Sequence, residues 1–361
     1  MPYSLILALA AFAIAFATTP LVVRLARDQG LLDRPGPRRV HRSPVPRLGG
    51  LAMAVAVLGV AWAARLLPGP ARELELRPLL GLTLASLPIL ALGVVDDLRG
   101  VGPLAKLVIQ ACAASVLVLF GYGVPEITNP FGDPVRSVAL SAPLTVVWVI
   151  VVTNAINLID GLDGLASGVV TIAAATLWWV GRSHGDFYVM FLSALLIGAT
   201  LGFLRWNFPP ARIFMGDTGS QFLGLVLAAA SLLENRKGTA TVTLLFPLVA
   251  MGVPIADGAL AFVRRILAGK PVFRADSEHI HHRLIRFGFS VRGTLYALWG
   301  LCAALGVIAI LLSRLPREQA ALLAAALAAV LLLAFEVLDW MGDRRAGARS
   351  STSDPDGDRR D

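Results

Sequence analysis

The sequence predicts an all-α, polytopic integral membrane protein. Its 361 residues are 56% hydrophobic and only 16% charged, and the mean hydropathy is +0.72. Soluble domains carry about 25% charged residues, so lipid must be the main solvent of this chain. Apolar residues run continuously instead of alternating, which excludes a membrane-spanning β-barrel.

Windows of about 20 apolar residues, the length that crosses the hydrocarbon core of a bilayer, predict about eleven transmembrane helices. Their ranges are 4–23, 48–66, 79–95, 103–120, 140–157, 165–181, 187–204, 219–233, 240–262, 294–312 and 319–338. Residues 1–340 are predicted to form a transmembrane domain with cytoplasmic catalytic loops. Residues 341–361 are predicted to be a disordered cytoplasmic tail, because they are polar and lack bulky apolar side chains after Met341.

The basic residues predict that the N-terminus is outside and the C-terminus is cytoplasmic. In that orientation, 23 of the 32 Lys and Arg residues lie in inner loops and 9 lie in outer loops, as the positive-inside rule requires. The first apolar run is not interpreted as a signal peptide, because Arg24 and Arg27 follow it and no basic residue precedes it. Cys112 and Cys302 lack metal-ligand spacing and are expected to be small core residues.

Four polar clusters interrupt the apolar pattern, and the predicted topology places all four on the inner face. They are Asp96-Asp97, residues 154–164 (NAINLIDGLDG), residues 207–220 (NFPPARIFMGDTGS) and residues 279–283 (HIHHR). Ionisable groups at the edge of a bilayer need partners, and the outer loops contain nothing comparable. The clusters therefore predict a single cytoplasmic site.

The carboxylates of these clusters predict a bound cation. Asp160 and Asp163 form a pair at i,i+3 spacing, and mutual repulsion of so many acids requires compensation. Mg²⁺ is usually held by one or two carboxylates, sometimes with an amide oxygen, plus substrate phosphates. Asn157 and Asp217 fit that description. Gly216 precedes a predicted helix, and a helix N-terminus favours phosphate.

Each cluster also has a plainer interpretation. Asp96 and Asp97 could be a solvated helix end, and residues 154–164 could be a turn between helices. Residues 216–219 could be a short loop with an N-cap. The histidines suggest zinc, but no Cys or Glu completes a zinc pattern, so an anion-binding loop is favoured. The position of all four clusters on one face favours a functional site.

Five segments, taken in order, resemble the motifs of the polyprenyl-phosphate N-acetylhexosamine-1-phosphate transferases, glycosyltransferase family 4. They are residues 42–50 (RSPVPRLGG), 96–110 (DDLRGVGPLAKLVIQ), 154–164, 207–220 and 279–284 (HIHHRL), and the match spans roughly residues 1–312. The resemblance implies transfer of a sugar 1-phosphate from a UDP-sugar to a polyprenyl phosphate, with release of UMP. It also implies Mg²⁺ as the cofactor, with Mn²⁺ as an alternative.

The resemblance is closest to the branch that uses UDP-N-acetylglucosamine and undecaprenyl phosphate. The branch that makes the first peptidoglycan lipid usually carries three consecutive histidines, and Ile280 interrupts that run here. The implied setting is the bacterial plasma membrane, with a cytoplasmic active site that initiates cell-envelope polysaccharide synthesis. The expected partners are the UDP-sugar, the polyprenyl phosphate and the bilayer; a homodimer is left open and no nucleic acid is expected.

The resemblance further implies roles for residues at matching positions. The implied catalytic group is Asp96, Asp97, Lys106, Asp160, His282 and Arg283. The implied substrate-binding group is Arg47, Asp163, Asn207, Phe214, His279 and His281, and the implied metal ligands are Asn157 and Asp217. Within these groups, Asp97 is expected to orient or deprotonate the lipid phosphate, Lys106 to neutralise phosphate charge, and Phe214 to stack on uracil.

Two other functions compete with this one. A transferase that uses UDP-muramoyl-pentapeptide would share the chemistry, and the inner loop 264–292 would distinguish the two. An ion-coupled transporter would also carry acids in apolar surroundings. Transporters place such acids near the bilayer midplane and often contain repeated halves, whereas the acids here lie at the ends of spans and no internal repeat is visible.

Overall fold

A computed structural model describes residues 2–33, 44–124, 138–232, 245–267, 269 and 279–351. These residues form a bundle of α-helices with one short hairpin, in which strands β1 (Leu32–Asp33) and β2 (Val45–Pro46) pair antiparallel. The helices are α1 (Pro2–Asp28), α2 (Gly50–Leu66), α3 (Leu76–Arg99), α4 (Pro103–Leu119), α5 (Val138–Ile159), α6 (Leu165–His184), α7 (Phe187–Asn207), α8 (Gly216–Leu232), α9 (Leu245–Ala250), α10 (Gly252–Leu267), α11 (Ile280–Arg286), α12 (Val291–Leu312) and α13 (Arg317–Ser351).

Six of the helices in the described ranges are long and apolar enough to cross a membrane, by length and composition: α1, α3, α5, α6, α7 and α12. This agrees with the predicted class of all-α, multi-pass membrane protein. Three further predicted spans coincide with shorter apolar helices, which are Gly50–Leu66, Pro103–Leu119 and Glu318–Ala334. The number of eleven spans and the orientation of the chain remain predictions.

Helix α8 lies at the centre of the bundle. Every residue from Thr218 to Leu232 is buried, because α3, α5, α2 and α7 pack around the helix. A helix that is apolar on all sides is expected to be enclosed in this way. Helix α1 instead exposes Leu5 and Leu9, which places it at the rim of the bundle.

Small residues allow several helices to approach closely. Gly198 and Gly202 of α7 face the backbone of Ala8 and Phe12 on α1, so that a side chain at either glycine would overlap that backbone. This spacing of two small residues is a common interface between membrane helices. It brings α1 close to α7, and the indole N–H of Trp206 on α7 also donates to the carbonyl of Phe16 on α1 at 3.2 Å.

The predicted ninth span, 240–262, is not one helix among the described residues. Helices α9 and α10 are separated at Met251, because Gly252 favours an interruption and Pro254 lacks the N–H that a continuous helix requires. Residues 240–244 lie outside the described ranges.

Helix α13 continues to Ser351, past the boundary at residue 340 that the sequence predicts for the membrane domain. Its last residues include Ala and Arg, which favour helix. Residues 352–361 lie outside the described ranges, so the division into a membrane domain and a disordered tail stays a prediction.

Candidate active site

Several helix ends meet around one cavity of about 920 Å³ at one end of the bundle. The walls come from the C-terminal ends of α3, α5 and α7 and the N-terminal ends of α4, α8 and α12, with α11 beside them. Ten residues that the sequence singles out line this cavity: Arg47, Asp96, Asp97, Lys106, Asp160, Asp163, Asn207, Phe214, Asp217 and His282. The four polar clusters therefore come together in space. Asn157, His279, His281 and Arg283 are not among the lining residues.

An ammonium group bridges two of the acids. Lys106 Nζ lies 2.6 Å from Asp217 Oδ2 and also forms an ion pair with Asp96. Asp96 in addition accepts a 2.6 Å hydrogen bond from the backbone N–H of Val101, which fixes its carboxylate at the α3–α4 turn. The positive charge of Lys106 reduces the repulsion between the two carboxylates.

Asn157 lies directly behind Asp217. Its Nδ2 donates at 2.8 Å to the Oγ of Ser220, which lies about one helical turn after Asp217 on α8. A chain of three side-chain amides, of which Gln110 and Gln221 are buried and Asn154 is half-buried, lies about one helical turn further along the same helices. Asn154 Nδ2 donates to Gln110 Oε1 at 2.7 Å, and Gln110 Nε2 donates to Gln221 Oε1 at 3.3 Å.

The groups around Asp217 suit a hard cation that is shared with substrate phosphates. Within the described part of the chain, no three His, Cys, Asp or Glu side chains are grouped so as to hold a metal ion. Mg²⁺ commonly takes one or two protein carboxylates and completes its shell with water and phosphate. The ammonium of Lys106 between Asp96 and Asp217 shows that this position favours positive charge. Asp217 and Asn157 are the residues that could hold the ion.

Asp97 binds the first turn of helix α8. Its Oδ1 accepts from the N–H of Asp217 at 3.0 Å, and its Oδ2 accepts from the N–H of Thr218 at 3.1 Å and from the Thr218 hydroxyl at 2.7 Å. Gly216 has φ +67°, and a side chain there would overlap the Asp97 carboxylate. The glycine therefore allows the acid to approach.

The other two acids of the cavity lie in the turn between α5 and α6. Asp163 Oδ2 accepts from the N–H of Ala211 at 2.9 Å, which joins this turn to the loop after α7. Burial raises the pKa of Asp160 well above its usual range, and the negative charges of Asp217, Asp97 and Asp163 add to the effect. Asp160 is therefore protonated at higher pH than an ordinary Asp and can donate a hydrogen bond into the cavity.

Asn207 and Phe214, both predicted to bind substrate, lie on the cavity wall. The Asn207 amide is used inside the protein: Oδ1 accepts from the N–H of Gly164 and Nδ2 donates to the carbonyl of Ile213, both at 2.9 Å. It thus fixes the two loops that border the cavity. The backbone N–H of Phe214 donates to the carbonyl of Pro46 at 2.9 Å, so the segment after α7 is tied to β2.

The hairpin brings a second cation to the cavity. Arg47 Nη2 lies 2.5 Å from Asp33 Oδ1, and Arg47 Nη1 donates to the backbone carbonyl of Asp97 at 3.3 Å. The pairing of β1 with β2 places Asp33 next to the start of the 45–50 segment. Residues 42 and 43 of the quoted motif lie outside the described ranges.

The histidine segment is divided by its packing. His282 lines the cavity, whereas His279, His281 and Arg283 are buried behind it, with 6%, 1% and 3% of their surfaces exposed. His279 Nδ1 lies 2.9 Å from Asp257 Oδ2, and Asp257 Oδ1 accepts from the N–H of Ile280 at 2.9 Å.

His281 packs against Gly161, where a side chain would overlap its ring. Burial, the largest cause, and the neighbouring His282 and His279 lower the pKa of His281 to about 3. The ring is therefore neutral at physiological pH. His281 is not among the residues that line the cavity, although it packs against Gly161 and His282, which are. Its predicted role in binding substrate stays a prediction.

Sequence reasoning missed four residues of the site. Asp257 had a signal, because an acid inside the predicted span 240–262 needs a partner. Thr218 lies in the quoted segment 207–220 but was given no role. Asp33 and Arg292 had no signal, since only the folded chain brings them to the cavity. Arg292 lines the cavity, donates to the carbonyl of Pro209 at 3.0 Å and lies over the Phe208 ring.

Comparison with known proteins identifies the family. A sequence profile described as glycosyl transferase family 4 matches residues 79–235. A probable undecaprenyl-phosphate N-acetylglucosaminyl 1-phosphate transferase of Bacillus subtilis is 38% identical over 299 residues, which are 81% of this chain and 80% of the relative. A decaprenyl-phosphate N-acetylglucosaminephosphotransferase of Mycobacterium tuberculosis is 38% identical over 337 residues, 86% of this chain and 83% of the relative.

A phospho-N-acetylmuramoyl-pentapeptide-transferase of Synechococcus is less similar, with 33% identity over 293 residues, 74% of this chain and 77% of the relative. All three alignments extend well beyond the profile match and cover most of both chains. The chain belongs to glycosyl transferase family 4, the polyprenyl-phosphate N-acetylhexosamine-1-phosphate transferases that its motifs resemble.

Proposed function

We propose that the protein transfers N-acetylglucosamine 1-phosphate from UDP-N-acetylglucosamine to undecaprenyl phosphate. The products would be the lipid-linked diphosphosugar and UMP, and the reaction would require Mg²⁺. The observation that carries this proposal is the cavity at the end of an apolar bundle, in which Lys106 pairs with the carboxylates of Asp96 and Asp217 and Arg47 also lines the wall. The names of the relatives from Bacillus subtilis and Mycobacterium tuberculosis support the donor and the type of acceptor.

The proposal includes a location. The protein would lie in the bacterial plasma membrane with about eleven spans, its N-terminus outside and the cavity open to the cytoplasm. The UDP-sugar is water-soluble and would reach the cavity from that side, while the acceptor phosphate would come from the inner leaflet. The basic inner loops support this orientation.

The chemistry would be phosphoryl transfer by positioning and charge compensation. An oxygen of the acceptor phosphate forms a bond to the β-phosphorus of the donor, and the bond from that phosphorus to the oxygen of UMP breaks. Mg²⁺, held by Asp217 and Asn157, would supply positive charge to the donor phosphates. Lys106 would offset negative charge at the same place, and the O–H of Asp160 could donate to a phosphate oxygen.

The acceptor does not need a strong base. The second pKa of a phosphate monoester is about 6, so the acceptor is mostly a dianion at neutral pH. The attacking oxygen then carries no proton. What the cavity has to provide is alignment of two anions that repel each other, and its cations serve that purpose.

A transferase for UDP-muramoyl-pentapeptide is the second candidate, and the Synechococcus relative supports it. The higher identity to the N-acetylglucosamine enzymes favours the first candidate. Membership of the family favours either transferase over a transporter.

The test is UMP release by purified full-length protein with undecaprenyl phosphate and one of three donors: UDP-N-acetylglucosamine, UDP-N-acetylgalactosamine or UDP-muramoyl-pentapeptide. We expect release with the first donor and its loss on addition of EDTA. Asp217→Ala should lower the rate by at least about 10³-fold, because it removes the main cation ligand. Glu73→Ala, which removes an exposed acid outside the cavity, is the matched control.

Release with the muramoyl donor alone would favour the second candidate. Release that is unaffected by EDTA, or full activity of Asp217→Ala, would contradict the magnesium assignment. No release with any donor from folded protein would contradict the proposed function itself.

A further inference from the structure

The two adjacent acids at the end of α3 make different contacts. Asp96 faces Lys106 and the α3–α4 turn, whereas Asp97 faces away from that turn and reaches helix α8. Adjacent residues on a helix point in different directions, so the two side chains have different partners although both line the cavity. The contacts of Asp97 therefore need their own explanation.

Asp97 caps helix α8 from another part of the chain. The first N–H groups of an α-helix have no partner within the helix and are usually satisfied by a side chain just before it. Residue 215 is a Met and residue 216 is a Gly, and neither side chain can accept a hydrogen bond of this kind. Asp97 supplies the missing acceptor and takes the N–H groups of Asp217 and Thr218 together with the Thr218 hydroxyl.

The packing around this contact is built for a close approach. Gly93 lies one turn before Asp97 on the same face of α3, and a side chain at Gly93 would overlap the backbone of Thr218. Gly216 provides the space for the Asp97 carboxylate. Helix α3 thus rests on the first turn of α8 at two successive positions, and both contacts hold the backbone of Asp217.

We propose that Asp97 is a positioning residue, which caps α8 and thereby orients the Asp217 side chain towards the cation and the donor phosphates, and that it is not the proton acceptor of the reaction. This inference rests on the proposed function. A carboxylate has about four acceptor positions, and three donors already occupy Asp97. A base would need a lone pair directed at the acceptor, whose attacking oxygen carries no proton at neutral pH.

The experiment uses the full-length protein with four variants: Asp97→Asn, Thr218→Val, Thr218→Ser and the double variant Asp97→Asn with Thr218→Val. Thr218→Val is nearly isosteric and removes only the hydroxyl that donates to Asp97. Thr218→Ser restores that hydroxyl. Two quantities are measured: kcat for UMP release, and the affinity for Mn²⁺ in the presence of UDP, from the electron paramagnetic resonance signal of free Mn²⁺.

We expect Asp97→Asn and Thr218→Val each to lower kcat and to weaken Mn²⁺ binding by about 10-fold, and Thr218→Ser to recover most of both losses. The double variant should lose little more than the worse single variant, because both changes break the same contact. The shared effect on Mn²⁺ affinity is what a positioning role predicts.

A base role predicts another pattern. Asp97→Asn would then lower kcat by about 10²- to 10⁴-fold with Mn²⁺ affinity unchanged, Thr218→Val would have little effect, and the two losses would multiply. That result would overturn the inference, as would wild-type protein that binds no Mn²⁺ with UDP. Wild-type protein that binds Mn²⁺ and UDP but releases no UMP would contradict the proposed function, while the binding data would still decide the role of Asp97.

Discussion

At the scale of single residues, His281 combines deep burial with unused hydrogen-bonding capacity. Its side chain is 1% exposed, and neither ring nitrogen has a hydrogen-bond partner in the described part of the protein. A neutral ring tolerates this environment, but a protonated ring would place a charge in it without compensation. Because of that cost, burial lowers the pKa of His281 to about 3.

The lowered pKa makes stability depend on pH in a defined direction. An unfolded histidine has a pKa of about 6.5, so between pH 6.5 and 3 the unfolded chain binds a proton that folded His281 does not. The contribution of His281 to the free energy of unfolding is therefore fully present above about pH 6.5. It falls as the pH drops, by at most about 1.4 kcal/mol for each pH unit. His281→Asn, which cannot titrate there, should lose less stability on acidification than wild type.

The measurement is the thermal unfolding midpoint in detergent at several values between pH 7.5 and pH 4.5. His281→Asn should be less stable than wild type at pH 7.5, because it leaves a cavity beside Gly161, and the difference should narrow as the pH falls. If the unfolding midpoint of both proteins changed equally between pH 7.5 and pH 4.5, the assignment of a buried neutral His281 would be contradicted.

Residue types and spacing predicted most of the polar and charged side chains that line the cavity, but not what each contacts. The neighbouring positions Asp96 and Asp97 look equivalent in the sequence, and only the packing of α3 on α8 gives one to Lys106 and the other to the backbone of Thr218. His279 and His282 also look equivalent in the sequence. Only the direction from which α11 meets the cavity buries His279 and places His282 on the cavity wall.

At the scale of elements, α10 holds α11 in place through Asp257. This acid is 3% exposed and accepts hydrogen bonds from His279 and from the N–H of Ile280, the first residue of α11. Helix α11 carries His282 to the cavity. A change at Asp257 should therefore act on the cavity without touching it.

We expect Asp257→Ala to lower the unfolding midpoint, because the loss of a buried acceptor costs about 1–3 kcal/mol of stability. We also expect it to raise KM for the UDP-sugar by about 5- to 20-fold, because Asp257 would no longer hold helix α11, which carries His282 to the cavity. Asp257→Asn keeps one oxygen for the N–H of Ile280 and should fall between Asp257→Ala and wild type. Steady-state kinetics and thermal unfolding check both variants.

Asp186→Ala is the matched control for this element. Asp186 is also a buried acid that caps a helix, since its Oδ1 accepts from the N–H groups of Tyr188 and Val189 at the start of α7, but it is not among the residues that line the cavity. It should lower stability and leave KM unchanged. An equal change in KM for both variants would refute a specific link from Asp257 to the cavity.

At the scale of the whole molecule, hydropathy predicted the helical class and most helix positions, because a helix that faces lipid must be apolar along its length. It failed at the ninth span, where Gly252 and Pro254 interrupt an apolar run. It also gave no indication that α8 is central, because apolar residues look alike whether they face lipid or protein. The close approach of Gly198 and Gly202 to α1 is a property of packing.

The predicted orientation of the molecule rests on the distribution of its basic residues and can be tested with single cysteines. In a Cys112→Ala, Cys302→Ala background, Arg72→Cys would place a thiol between α2 and α3, and Arg286→Cys would place one at the end of α11. Both positions are exposed, and Arg286 lies at the cavity end of the bundle, next to helix α12, which begins there. The proposed topology puts the first thiol outside and the second inside the cell.

In intact cells, a maleimide that cannot cross the membrane should label Arg72→Cys and leave Arg286→Cys unlabelled. Both should be labelled after the membrane is opened. The opposite result would place the cavity outside, where no UDP-sugar is supplied by the cytoplasm, and would contradict the proposed location. Labelling of both in intact cells would refute the assignment of the two positions to opposite sides. The expected result follows from the predicted topology, in which 23 of the 32 basic residues lie in inner loops, because the positive-inside rule places such loops in the cytoplasm.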